Sequence, residues 1–355
     1  MVRQARTGSL AAVVVALTTC SIASAQTPRL VAPPRTIADI TAFLDQEKPD
    51  PAKRAKTLAE ANAEPPAKTD RAARKDFYFQ RAQARAMLGQ AAAAAADAEQ
   101  AVALGTDYVG DISRMEAYQA LQMRRAGDYE GSSKLLERIA QRLNVTTQNK
   151  GRAFLLYARI VTNLVSLGEI AKAEAYANKS RALLAESRAW QAHALYGSNW
   201  AALVEESNLR MFVAKGHHRD AELSAHKAQS LYRDALAKSK SWERPPERDG
   251  FESAIDWALV DEGRAKMRQG RLIEAEIDIR GALLSRLKAV GKYHYSTGNM
   301  LYALAWVLNE QGRFSECETL ARASNLRRDG PRPVLVLLRE GLEQPRRGAV
   351  CAAQV

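Results

Sequence analysis

The sequence predicts an all-α chain, a right-handed α-solenoid of helical hairpins, on three observations. First, six glycines each precede a small residue five positions on: Gly89 and Ala94, Gly127 and Ser132, Gly168 and Ala173, Gly216 and Ala221, Gly270 and Ala275, Gly312 and Cys317. Glycine takes the left-handed conformation that ends one helix, the residue two positions later plugs the gap, and the small residue lets the second helix cross close to the first. Second, apolar residues recur at the helical period between these turns, as in Phe154, Tyr157, Ile160, Val161, Leu164 and Val165, and no stretch of comparable length alternates at the strand period. Third, alanine is abundant while aromatics make up 6% and charged residues 26%, the composition of helices packed through small side chains. Such hairpins bury their apolar faces on their neighbours, so 355 residues read as one array rather than two or three domains.

In chain order, Arg3 and Arg6 precede an apolar run from Leu10 to Ala16, and Ala23-Ser24-Ala25 is a small-x-small site before Gln26. Residues 1–25 therefore read as a secretory signal peptide, with a run too short to span a bilayer. The expected location is periplasmic or secreted; a lipoprotein anchor at Cys20 is the lesser alternative, because Thr19 is bulkier than such processing sites accept. Residues 26–35 are a polar, Pro-containing lead-in expected to be disordered. Thr36 then caps a helical pattern, Asp50-Pro51 opens a second helix with proline at its first position, and Pro65-Pro66 ends it. Together 36–68 are expected to form a divergent N-terminal capping hairpin.

Residues 70–325 carry about six hairpins, with spacings between turn glycines of 38, 41, 48, 54 and 42 residues. The first unit, Tyr78-Phe79-Gln80-Arg81-Ala82 through Gly89 and on to Ala94, Asp97, Ala98, Ala101 and Leu104, resembles a tetratricopeptide repeat. So do Tyr157, Leu164, Gly168, Ala173, Ala177 and Leu183, and Gly263, Gly270, Leu272, Ala275 and Ala282. The spacing exceeds the roughly 34 residues of that family's unit, which implies longer helices and loops. The pattern departs where an aromatic is expected in the first helix, at Arg85, Met123 and Lys266. Trp242-Glu243-Arg244-Pro245-Pro246 marks the longest loop, with Trp242 expected to pack over the adjoining helices. Residues 326–355 form an irregular Arg/Pro-rich tail, read as a remnant of a longer protein or a stretch translated out of register.

Catalytic chemistry is not written in the chain. Beyond the signal peptide the cysteines are Cys317 and Cys351, which gives no disulfide framework, and Cys317 reads as a small buried residue rather than a nucleophile served by His294. His217, His218 and His226 lack the cysteine or carboxylate partners of a metal site and read as a solvated turn. There is no phosphate loop, Gly-x-Ser-x-Gly elbow or His-Glu-x-x-His helix. The expectation is a protein that is not an enzyme and has no cofactor.

Binding is the remaining function. The tetratricopeptide resemblance implies that the first helix of each hairpin lines a concave groove, and its register turns Gln83, Arg124, Arg125, Arg210, Arg264, Arg268, Asn299, Tyr302 and Trp306 toward it. Arginine forks suit carboxylates, so the expected partner is a protein or peptide of acidic character, although each arginine has the alternative of solvating an exposed helix face. The carboxylate-clamp arrangement is not reproduced, since Phe79, Ala117 and Ala158 stand where its lysines belong. Net charge is +12, but seven arginines from Arg322 onward carry much of it; no basic stripe interleaved with aromatics argues for nucleic acid, and membrane contact is peripheral at most. From Thr36 to Ala323 the array also resembles the front half of exported bacterial CHAT-type proteins, in which repeats precede a caspase-like cysteine protease domain. No segment after Ala323 is expected to hold that domain, so the alternative reading is the recognition half of such a protease.

Overall fold

The structure, a computed structural model, describes residues 32–46, 51–66, 70–105, 109–143, 150–241 and 248–324. Residues 1–25, Cys20, Trp242, residues 326–355 and Cys351 lie outside these residues. The described residues fold as fourteen α-helices. They are α1 (Ala38–Gln46), α2 (Pro51–Asn62), α3 (Arg71–Met87), α4 (Ala91–Leu104), α5 (Val109–Arg125), α6 (Tyr129–Leu143) and α7 (Ala153–Ser166). They continue as α8 (Ile170–Ser187), α9 (His193–Ala214), α10 (His218–Lys238), α11 (Arg248–Arg268), α12 (Leu272–Val290), α13 (Tyr295–Glu310) and α14 (Phe314–Ser324). From α3 onward the helices pair as hairpins, each packed on the next, and the first helices of successive hairpins also touch, α7 on α9 and α11 on α13.

The hairpin turns are one structure used six times. Gly89, Gly127, Gly168, Gly216, Gly270 and Gly312 all have φ between 75° and 95°. At Gly270 the glycine N–H donates to the carbonyl of Met267 and the next N–H, of Arg271, reaches back to Lys266, both at 3.0 Å. This doubly bonded stop satisfies two orphan carbonyls at the helix end. The same pair of bonds, at 2.9–3.1 Å, closes the other five turns. Five residues on, Ala94, Ser132, Ala173, Ala221, Ala275 and Cys317 are all buried. Ser132 is the one hydroxyl among them. It donates to the carbonyl of Ala120 at 2.7 Å and accepts from Asn163 Nδ2 at 2.9 Å, so its burial leaves the oxygen satisfied.

Close approach continues beyond the turn. A Cβ at Gly263 would lie 2.7 Å from Ile279 Cγ1 and 3.0 Å from the carbonyl of Ala275, so the glycine sets how near α11 sits to α12. Gly270, by contrast, has nothing within 4 Å but a φ of +78°. Gly270→Ala is expected to cost about 1–2 kcal/mol through backbone strain alone. Gly263→Ala costs about 1–3 kcal/mol through overpacking and, unlike the turn variant, loosens α12 in hydrogen exchange. A Gly263→Ala protein with unchanged stability and exchange would remove the close-crossing argument.

The departures from the aromatic pattern have local causes. Arg85 donates to the carbonyl of Ala61 at 3.1 Å and pairs with buried Asp97 at 2.8 Å, while Arg81 makes a two-bond fork to Asp97 and reaches the carbonyl of Ala63 at 2.8 Å. Two guanidiniums thus cap the end of α2 and join it to α3 and α4. Lys266 bridges Glu262 at 2.9 Å and Asp278 at 2.7 Å. Burial works against its charge, but the two carboxylates outweigh that and hold it above the ordinary lysine value.

The expectation that 36–68 folds as one leading hairpin is corrected. α2 begins at Pro51 as expected and packs on α3, but α1 is seated at the opposite end of the array. Ile37 just before it, with its own Ile40 and Leu44, belongs to the apolar core built from α11–α14, beside Ile279, Leu283, Leu301, Leu304 and Leu320. The other large core gathers α5–α9 around Phe154, Ile160, Leu136 and Trp200.

Candidate functional site

The nine residues expected on the groove all lie on first helices: Gln83 on α3, Arg124 and Arg125 on α5, Arg210 on α9, Arg264 and Arg268 on α11, and Asn299, Tyr302 and Trp306 on α13. The fold brings several of them together. Asp261, buried on α11, accepts a fork from Arg210 at 2.8 and 3.3 Å and a further bond from Arg264 at 3.4 Å. Arg268 lies 4.8 Å over the Trp306 ring, whose Nε1 donates to Glu310 at 3.1 Å. Arg125 lies 4.2 Å over the ring of Tyr295 at the start of α13. That last contact joins the second hairpin to the sixth, so the first-helix faces turn toward a common interior. Asn299 and Tyr302 are half-buried on α13, and Gln83 is exposed on α3, outside this chain of contacts.

Four residues that meet this set were not among the nine: Arg159, Glu206, Asp261 and Tyr295. The clamp comparison set Ala158 where a lysine belongs, whereas Ala158 is buried in the core and the next residue, Arg159, is the half-buried cation. Arg159 donates to the carbonyl of Ala117 on α5 at 3.2 Å. Burial, and next the positive charge of Arg124, press it down to about 10, with Arg125 adding to the effect and Glu206 opposing it. Glu206 is raised above the ordinary carboxylate range, chiefly by burial, although Tyr232 donates to it at 2.6 Å and Arg210 lies near. Both Arg159 and Glu206 are half-buried and retain part of their surface.

The chemistry of this interior is asymmetric. Around Asp261 the guanidiniums are matched by a carboxylate, whereas Arg159 meets the positive charges of Arg124 and Arg125 as well as the negative charge of Glu206.

The histidines and cysteine stand elsewhere. His226 is largely exposed and bonds Glu262 at 3.3 Å; His294 caps α13 and sits 2.6 Å from Ser296 Oγ. His218 opens α10, held below its ordinary value by burial and then by Arg268. Cys317 is buried at its turn, as the small-residue reading expects. Among the described residues no group of three His, Cys, Asp or Glu side chains is placed to hold a metal ion, and no helix is long and apolar enough to cross a membrane.

No protein-family model matches the chain, and no curated protein does. Among solved structures, the crystal structure of BtubC (BKLC) from P. vanneervenii is similar, with a TM-score of 0.39 and 15% identity, covering 75% of this chain and 96% of that one.

Proposed function

We propose that this chain is a helical-hairpin scaffold that binds an acidic protein or peptide segment along its inner face. The observation that carries the reading is that cationic side chains from successive first helices lie together, Arg159 of α7 bonded to the α5 carbonyl of Ala117 and Arg210 of α9 sharing Asp261 with Arg264 of α11. Arg125 and Arg268 lie over Tyr295 and Trp306, which leaves flat, partly exposed cation–aromatic pairs at the rim, a surface type suited to protein contact.

Residues 1–25 support a periplasmic or secreted setting, to be checked by N-terminal sequencing of the exported protein for a start at Gln26. The resemblance to CHAT-type proteins supports a second role for the same face, as the recognition surface of a protease, and rests on the turn pattern.

The test uses a fluorescein-labelled hexaglutamate peptide and a pull-down from periplasmic extract, each with the mature chain and with a variant carrying Arg124, Arg125, Arg264 and Arg268 changed to Ala. A charge-assisted hydrogen bond contributes about 1.5–3 kcal/mol, so loss of two or more should weaken peptide binding by about 100-fold or greater while helical content is unchanged. Equal affinity and equal partner recovery by both forms would rule out the inner face.

A further inference from the structure

Among the described helices α1 alone has no close backbone pairing with another helix. It is seated by side chains. Ile37 just before it and its own Ile40 and Leu44 are buried, and their spacing puts all three on one helical face. They complete the apolar core that α11–α14 build around Ile279, Leu283, Leu304 and Leu320. The opposite face, with Ala38, Ala42 and Asp45, is exposed.

The array also meets both ends of this helix with the matching charge. At the amino end the N–H of Ile37 donates to Glu316 Oε1 at 3.0 Å, and Arg313 holds the other oxygen of that carboxylate. Arg280, 4% exposed, divides its guanidinium between array and helix. Its Nη2 bonds Glu276 at 2.6 Å, while Nη1 pairs with Asp39 in the first turn of α1 and donates to the carbonyl of Thr36 at 3.3 Å. At the carboxyl end Lys292 donates to the carbonyl of Leu44. A carboxylate at the N-terminus and an ammonium at the C-terminus complement the helix dipole, so the seat reads the direction of the helix as well as its apolar face. Apolar anchors at i, i+3 and i+7, with polar contacts at both ends, are the pattern by which a groove takes up an amphipathic helix from another protein.

We propose that the last two hairpins form a helix-receiving groove whose resident occupant is α1, and that this groove takes in trans a partner's amphipathic helix with Ile or Leu at i, i+3 and i+7 and an acidic residue at i+2. The resident helix is a built-in competitor that masks the groove until a partner displaces it. Arg280 selects the acidic residue, because a guanidinium this buried has little water to turn to when Asp39 leaves. The surface is independent of the inner-face reading above and takes a different ligand.

The probe is an acetylated peptide of residues 35–46 with fluorescein at its C-terminus, titrated by anisotropy with the wild-type chain and with an Ile40→Glu, Leu44→Glu variant. In that variant the resident helix no longer fits and every groove residue is unchanged. It should bind the peptide about tenfold or more tightly than wild type does, because its groove is no longer occupied. The peptide carrying Asp39→Ala should bind the variant about tenfold more weakly, and the peptide carrying Ile40→Glu should not bind. Failure of the folded variant to bind the peptide, or equal binding of the Ile40→Glu peptide, overturns the proposal. So does a concentration-dependent doubling of mass in wild type that the variant lacks, since α1 is then exchanged between copies rather than displaced by a partner. Should the double variant unfold, Asp39→Ala in the chain, which removes only the pair with Arg280, takes its place: tighter peptide binding than wild type supports the groove, and unchanged binding refutes it.

Discussion

Arg280→Leu is expected to destabilise the C-terminal end of the array by about 3 kcal/mol. Arg280 is 4% exposed and Glu276 is fully buried, and their side chains meet at 2.6 Å. Glu276 also receives both bonds of an Arg313 contact at 3.0 Å and one from Gln311 at 2.9 Å, so its oxygens are saturated. Removing Arg280 takes away one of two cations from a carboxylate that has no route to water, and it also releases Asp39 and the carbonyl of Thr36 on the α1 segment. Breaking a buried pair costs more than the pair itself contributes, because the surviving charge keeps its desolvation penalty. The remaining Arg313 keeps the loss at the low end of the usual range. A second substitution discriminates the mechanism: Glu276→Leu added to Arg280→Leu should recover part of the loss, since no unpaired charge is then left. Hydrogen exchange is the suitable measure, because repeat arrays lose structure locally and a single melting midpoint averages over hairpins. If the two substitutions simply add, the buried-charge account is wrong.

Trp200→Ala should cost about 3–5 kcal/mol and loosen α7–α9 first. The indole is 6% exposed, stacks on Phe154 with centroids 5.4 Å apart, and meets Trp190 edge-on at 5.5 Å and Tyr196 at 5.9 Å. Gly151 lies so near that a Cβ there would fall 2.7 Å from Trp200 Cζ2. Truncation opens a cavity between three helices whose positions are fixed by hairpin turns on both sides, so the walls have little freedom to collapse into it. Trp200→Phe, which retains a stacking partner for Phe154, should recover most of that loss. Urea unfolding followed by near-ultraviolet dichroism reads both. A loss below about 1 kcal/mol for the alanine variant would mean that this aromatic group is a surface decoration and not the centre of the larger core.

How much of this was legible in advance depends on how far apart the interacting residues lie. The turn glycines and their small partners five residues on were readable because both ends of the constraint sit in one short segment, and the same backbone geometry recurs at each. The positions of Arg85 and Lys266 were readable as departures but not as caps and bridges. Their partners, the carbonyl of Ala61 and the carboxylate of Asp278, are reached only after neighbouring helices are placed. Within the candidate site, Arg210 and Arg264 were legible as inward residues, while Asp261, which joins them, carried a signal only in its i,i+3 spacing to Arg264. Arg159 was missed because the clamp comparison is sensitive to one residue of phase: a single step turns a side chain about 100° around a helix, enough to exchange Ala158 in the core for half-buried Arg159.

By itself the sequence determined the helical-hairpin architecture, because a left-handed glycine, an apolar plug and a small crossing residue leave a chain little choice but to fold back on itself. Only the tertiary structure decided where α1 sits and which arginines share the interior. Those outcomes depend on the rise and rotation accumulated from hairpin to hairpin. That accumulation brings Ile37 beside Glu316 and Arg125 onto Tyr295, and no local pattern records its sum.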